Sequence, residues 1–360
     1  MEIKAYGVVA RGSRIEPLTI ERRAVGPKDV DIEIAYCGVC HSDLHETGGE
    51  APWTQYPCVP GHEIVGRVVT VGKDVTRFAI GDAVGVGCMV GSCMRCDDCK
   101  SGLEQFCEKG CTFTYSTSSA DFPGHTLGGY SQKIVVNEAF VLKITHEKNL
   151  AAVAPLLCAG ITMYSPLRHA KVGPGMKVGI VGIGGLGHMG VKLARAMGAH
   201  VVGLTTSENK RADILALGAH EVIVWKNENE LKDHASSFDV IVNTVSSSHD
   251  LAAFLHLLRR DGKMTMVGAP AFSHKSPDMW TLMQKRRSIG GSFIGSIAET
   301  QEMLDFCAEH GIVADIELIS PSAIADAFAR MDRGDVKYRF VIDIASMAKE
   351  VGISRVSIAR

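Results

Sequence analysis

Lys177-Val178-Gly179-Ile180-Val181-Gly182-Ile183-Gly184-Gly185-Leu186-Gly187 is the stretch on which the fold turns. A short apolar run ends in the pattern G-x-G-x-x-G, the order of a buried strand bending sharply into a helix. Gly182 allows the tight turn, Gly184 lets backbone come close to a pyrophosphate, and Gly187 permits the helix to pack on the strand, with Gly185 and Leu186 completing the loop. The first amides of the helix then point at the phosphates. Such turns also occur for structural reasons alone, so the neighbouring segments have to decide. A flavin is the other dinucleotide that fits the turn, and no second feature supports one.

Outward from the turn, strands are expected at residues 200–205, 221–225, 239–245, 263–267 and 288–294, with helical stretches between them such as 251–260. Strands alternating with helices predict an α/β domain, a Rossmann doubly wound parallel sheet of six strands. A helical stretch over 151–169 leads into it. Earlier, short Val/Ile segments broken by Gly and Pro, at 30–35, 64–71 and 132–136, read as an irregular β-rich domain. Beyond the sheet, 299–309 reads as a helix and 338–344 as a strand rejoining the first region. The expected organisation is a β-rich domain over 1–152, a dinucleotide domain over 153–296, a return to the first domain over 297–345, and a tail without pattern over 346–360.

A chain of 360 residues exceeds the size at which one core stops growing, which agrees with two domains. Its 46% hydrophobic and 22% charged residues are those of an ordinary globular protein. The 38 basic and 40 acidic residues nearly cancel, and the clusters Arg259-Arg260 and Lys285-Arg286-Arg287, read as solvated faces, are too short for a nucleic-acid footprint. No apolar run reaches a membrane span and the first residues lack the apolar core of a signal peptide, so the expectation is a cytosolic protein without membrane or nucleic-acid partners. Eleven cysteines without an export signal are expected as thiols or metal ligands rather than disulfides.

The second strand of an NAD-binding sheet normally ends in Asp or Glu, which bonds the ribose 2′-hydroxyl. Here it ends Leu204-Thr205-Thr206-Ser207, followed by Lys210 and Arg211. Hydroxyls and positive charge suit a 2′-phosphate, which favours NADP(H). The plainer alternative is a helix N-cap at Ser207.

Cys93, Cys96, Cys99 and Cys107 follow C-x2-C-x2-C-x7-C within one loop. Four thiolates so close in sequence can close a tetrahedron around a structural zinc, and four exposed reduced cysteines would oxidise. A catalytic zinc needs three ligands and a vacant position. Cys40, in Gly38-Val39-Cys40-His41-Ser42-Asp43-Leu44-His45, and His62, in Gly61-His62-Glu63, are candidates, but spacing does not assemble them with a distant third ligand.

Gly61-His62-Glu63, the four-cysteine loop and the glycine turn together resemble the zinc-containing medium-chain alcohol dehydrogenase family. The stretches 40–45, Leu157-Cys158-Ala159-Gly160-Ile161-Thr162 and Thr205-Thr206-Ser207 narrow the resemblance to its cinnamyl-alcohol-dehydrogenase-like branch, near the bacterial broad-specificity NADPH-dependent aldehyde reductases. The resemblance spans all but the final dozen or so residues and implies a GroES-like fold for the β-rich domain. It further implies that Cys40, His62 and Cys158 bind a catalytic zinc, with Glu63 an exchanging fourth ligand and Asp43 orienting His62. Ser42 and His45 would form a proton relay, and Thr162 would touch the nicotinamide. Thr244, Val267, Gly268, Ser292, Phe293 and Ile294 would line the cofactor, and His41 would lie at a cofactor-phosphate contact. Phe293, Ile294, Trp53 and Phe113 would wall a substrate pocket, against the plain alternative of core packing. Cys37, Cys58, Cys88, Cys111 and Cys307 match no ligand and are expected as buried or free thiols.

The activity implied is reversible reduction of aromatic and aliphatic aldehydes to primary alcohols by NADPH, in a homodimer carrying two zinc ions per chain. A zinc-independent quinone or enone reductase, or a non-catalytic NADP-binding structural protein, are the alternatives. Neither requires a metal with a vacant position.

Overall fold

Strand Asp29–Gly38 organises the first of two compact units in this computed structural model, which describes residues 1–119, 122, 124–268, 274–349 and 354–355. The first unit comprises Met1–Cys158 and Gly295–Arg360; the second is Ala159–Ile294.

In the first unit, Asp29–Gly38 pairs antiparallel with Ile64–Val71, Lys133–Asn137 and Arg339–Asp343. Its Val30, Ile32 and Ile34 are buried, and register shifts near Asp31 and Ile34 bend it. A bulge leaves one residue unpaired and sharpens the local twist, the expected geometry where a sheet curls around its own core. Ala83–Val86 and Leu142–Lys143 extend the sheet on one side, and Ile316–Ile319 lies parallel to Arg339–Asp343 on the other. Of the tail, Ser354–Arg355 pairs with Glu16–Glu21, and 350–353 and 356–360 lie outside the described residues.

In the second unit a parallel sheet runs Glu221–Val224, His200–Thr205, Lys177–Val181, Phe238–Asn243, Leu258–Met266 and Ser288–Gly291. That order places the glycine turn at the point where the strand sequence reverses direction, the position at which such sheets bind nucleotides. Val181, Val202, Leu204, Phe238, Ile241, Phe254 and Leu255 form its core. Each buried side chain of this size contributes on the order of 2 kcal/mol of transfer free energy. Among the described residues no single helix is long and apolar enough to cross a membrane.

Three expectations need correction. The helical stretch over 151–169 is broken into Leu150–Val153, a 3-10 turn Ala154–Leu157 and a helix Ala159–His169, with Cys158 non-helical at the junction. Pro155 lies at the start of the 3-10 turn and cannot donate a helix bond. The helix expected over 251–260 stops at Leu257, and Leu258 already begins a strand, because Leu258 pairs with Phe238. Arg287 does not lie on a solvated face: it is buried and donates to the carbonyls of Leu258, Thr281 and His256, polar groups that would otherwise lack partners.

Candidate active site and metal centres

The pairing of Asp29–Gly38 with its neighbours brings distant residues together. Cys37 stands opposite Ile64, and the Gly38 amide donates to the Glu63 carbonyl at 2.9 Å, so the end of one strand and the start of the next carry Cys40 and His62-Glu63 side by side. On the other flank Val39 donates to Phe340 at 2.9 Å, which brings Arg339 to the same edge. Cys158 arrives from the break after the 3-10 turn, where Gly87 packs on the Leu157 carbonyl. One ligand atom from each of Cys40, His62, Glu63 and Cys158 lies within 4.8 Å of the others.

Zinc is the metal this donor set fits, with two sulfurs, an imidazole and a carboxylate. An orphan atom supports the fit: Glu63 Oε2 is buried and accepts no hydrogen bond from the described residues, while Oε1 pairs with Arg339. Burial pushes the Glu63 carboxyl up to about 8, and the Arg339 charge pulls the other way. Hydrogen bonding with Cys158 brings the Cys40 thiol well below its ordinary range against the effect of burial, helped by Arg339 and His62. The same bonds, to Cys40 and Cys88, raise Cys158.

Asp43, fully buried, ties the set together. It accepts from the Cys40 amide at 2.9 Å, the Gly61 amide at 3.1 Å and the Tyr130 hydroxyl at 3.0 Å, and lies 3.4 Å from His62 Nδ1. The Tyr115 ring stacks on His62 with centroids 5.6 Å apart. Helix His41–Thr47 also carries Ser42 and His45; Ser42 is exposed, and His45 Nδ1 meets Glu50 at 2.8 Å near solvent. His41 is exposed on the same helix. Trp53 is exposed with its indole N–H on Glu46, and Phe113 is partly exposed.

The second metal centre folds from one loop. Sγ atoms of Cys93, Cys96, Cys99 and Cys107 lie within 4.8 Å of one another. A short helix, Asp97–Lys100, and a 3-10 turn, Glu104–Phe106, shape the loop between them. The amides of Arg95 and Cys96 lower the Cys93 thiol to about 6, while burial raises Cys99 to about 12. Four clustered sulfurs can fill a tetrahedron by themselves, which fits a structural zinc.

In the second unit, Gly182 has φ +85°, and a Cβ there would press on Thr244 Oγ1 at 2.8 Å. Thr244 itself donates to the Val181 and Gly182 carbonyls and fixes the turn. Gly184 faces open space, and a Cβ on Gly187 would collide with the Gly182 carbonyl. Helix Gly187–Ala196 begins there, following Gly185 and Leu186. Thr162 is buried in helix Ala159–His169. Val267 and Gly268 donate to the Asn243 carbonyl beside Thr244. Ser292 donates to Met266, Phe293 is exposed, and Ile294 has φ +42°.

At the end of His200–Thr205, Thr205 Oγ1 accepts from the Ser207 amide at 3.3 Å. Ser207 begins the next turn without spending its side chain on a cap bond, so its hydroxyl stays available, and Thr206 and Lys210 are exposed. Arg211 bonds through its guanidinium to Glu208, Glu230 and the Val222 carbonyl.

Sequence reasoning missed Arg339, Tyr130, Tyr115 and the approach of Cys88 to Cys158. The one available signal was Arg339 opening the apolar run Phe340-Val341-Ile342, since a buried arginine requires an anionic partner.

Comparison with known proteins places the chain in a family. Residues 26–146 match the alcohol dehydrogenase GroES-like domain and 185–309 the zinc-binding dehydrogenase domain. The chain is 63% identical over 344 residues to aldehyde reductase YahK of Escherichia coli, covering 95% of this chain and 98% of that one. It is 50% identical to NADP-dependent alcohol dehydrogenase C 1 of Mycolicibacterium smegmatis, over 96% and 99% of the two chains. The structure of a cinnamyl alcohol dehydrogenase from Helicobacter pylori complexed with NADP(H) superposes with a TM-score of 0.88 at 41% identity, over 96% and 99% of the chains. The chain therefore belongs to the zinc-containing medium-chain alcohol dehydrogenase family, among its cinnamyl-alcohol-dehydrogenase-like members.

Proposed function

We propose that this protein reduces aromatic and aliphatic aldehydes to primary alcohols with NADPH, and runs the reaction in reverse on alcohols. One observation carries the reading: a Cys40, His62, Glu63 and Cys158 donor set occurs in the same chain as a dinucleotide turn followed by hydroxyls. Zinc, when bound, polarises a carbonyl oxygen, and NADPH supplies the hydride that the carbonyl carbon accepts. A quinone reductase or a binding protein has no use for that donor set.

Cys40, His62 and Cys158 hold the catalytic metal, and Glu63 exchanges on and off it. Cys93, Cys96, Cys99 and Cys107 hold the structural one. Asp43 fixes the His62 ring through Nδ1. The Ser42 hydroxyl donates a proton to the forming alcohol, and His45, paired with Glu50, connects that proton to solvent. Gly182, Gly184, Gly185, Leu186 and Gly187 cradle the pyrophosphate, and Thr205, Thr206, Ser207 and Lys210 bind the 2′-phosphate. Thr162, Thr244, Val267, Gly268, Ser292, Phe293 and Ile294 line the rest of the cofactor site, with His41 at a phosphate. Trp53, Phe113, Phe293 and Ile294 contribute to the substrate pocket.

Two copies pair along the edge strand Ser288–Gly291 in a cytosolic homodimer. The place of Ser288–Gly291 at the outer edge of the sheet among the described residues, and the exposed Met279, Trp280 and Met283, support this reading.

The test is a kinetic panel of aromatic and aliphatic aldehydes with NADPH and NADH, run beside metal analysis. Turnover should require two zincs per chain and prefer NADPH. A rate that survives complete loss of the Cys158 metal, or a protein active only on quinones, sinks the proposal.

A further inference from the structure

An acidic residue stands close to the hydroxyl-rich end of the second strand, although not at the strand end itself. Glu208 follows Ser207 at the start of the 3-10 turn Glu208–Lys210, three residues beyond the last residue of strand His200–Thr205. Its side chain is 66% exposed, and an unrestrained carboxylate next to Ser207 would repel a 2′-phosphate.

That carboxylate is already committed. Arg211 donates to both of its oxygens, Nε to Oε1 at 2.6 Å and NH2 to Oε2 at 2.9 Å. The guanidinium is held from behind as well: NH1 donates to the Val222 carbonyl at 2.6 Å, and NH2 reaches Glu230 Oε2 at 3.3 Å. Glu230 is itself anchored, accepting from the Val224 amide at 2.9 Å and from Asn227 at 3.2 Å. A planar fork bound on both sides is fixed in direction, which a lysine cannot reproduce. Glu208 is therefore tethered through Arg211 to the adjacent strand Glu221–Val224, with each carboxylate oxygen accepting from the guanidinium and its charge paired.

We propose that Arg211 is a specificity-determining residue that acts through Glu208: it neutralises and restrains the carboxylate, so that Thr205, Thr206, Ser207 and Lys210 face a 2′-phosphate without an opposing anion. The inference rests on the NADP(H) reading above. It makes Arg211 a positioning residue, not a phosphate ligand, and the two roles have different consequences when Glu208 is also removed.

Dissociation constants for NADPH and NADH, read from dihydronicotinamide fluorescence, test this without requiring turnover. Wild type comes first: equal affinity for the two cofactors would overturn the NADP(H) reading itself. Given a preference for NADPH, Arg211→Gln should weaken NADPH about tenfold at low ionic strength while leaving NADH unchanged or tighter. The loss should shrink as salt is raised. Adding Glu208→Gln should return NADPH to within about twofold of wild type, and Glu208→Gln alone should not weaken it. Arg211→Lys, which keeps a cation but loses the fork, should lie between, at about threefold, and serves if Arg211→Gln does not fold. The proposal is overturned if the double variant binds NADPH as poorly as Arg211→Gln, as a direct phosphate ligand would require. It is equally overturned if Arg211→Gln weakens both cofactors alike.

Discussion

At the residue scale the candidate site depends on a few buried polar contacts. Asp43 receives donors from Cys40, Gly61 and Tyr130 and lies beside His62, so it couples both ligand-bearing segments to a hydroxyl from a third. Tyr130→Phe keeps the ring that packs on Gly61 and removes only that hydroxyl. Catalytic zinc affinity should fall by about tenfold to a hundredfold, measured as chelator competition, with the cysteine-loop zinc unaffected as an internal control. Equal retention of both metals in the variant would show that the hydroxyl does not support the site. Cys158→Ser should abolish turnover while NADPH titration changes little, since Cys158 belongs to the metal donor set and the glycine turn does not contain it. The residues with local signatures were legible in sequence. Arg339 and Tyr130 were not, because their partners are far along the chain: Arg339 meets Glu63 276 residues away, and Tyr130 meets Asp43 87 residues away.

At the element scale, helix ends and turns carry the argument. Helix Ile297–His310 begins at Ser296, whose hydroxyl accepts from the Glu299 amide at 3.1 Å, and Glu104 accepts from Ile297 at 3.3 Å. Ser296→Ala should therefore cost about 1 kcal/mol, seen as a lower midpoint in denaturant at unchanged slope. At the glycine turn, Gly187→Ala places a Cβ against the Gly182 carbonyl and should weaken NADPH binding severely in the same fluorescence titration. Unaltered affinity would mean that the turn does not carry the dinucleotide. Element existence and type were largely readable, because strand and helix periodicities are local. Their ends were read less well: the break at Cys158 and the stop at Leu257 arise from packing and pairing with other segments.

At the scale of the whole molecule, buried thiols and metal loops set the response to conditions. Burial raises Cys58 and Cys307 to about 12 each, whereas a free thiol ionises near 8.5. Above that pH the unfolded chain loses these protons and the folded chain keeps them, so ionisation favours unfolding. Their contribution is complete below about pH 8.5 and is lost as pH rises toward 12, which calorimetry across that range would register as a falling midpoint. Cys307→Ala should make the fall less steep. Stripping the structural zinc should lower the midpoint at neutral pH, because four clustered sulfurs would lose the cation that binds them.

The sequence by itself determined the dinucleotide sheet, the four-sulfur loop and the hydroxyl-rich end of the second strand. Each is specified by residues a few positions apart, where backbone geometry leaves few choices. The resemblance already grouped Cys40, His62, Glu63 and Cys158 and gave Asp43 to His62; only the tertiary structure brings their ligand atoms within 4.8 Å of one another, sets Arg339 on Glu63 and binds Arg211 to Glu208. Those arrangements follow from strand register and from which buried charge finds which partner, and spacing along the chain does not encode either.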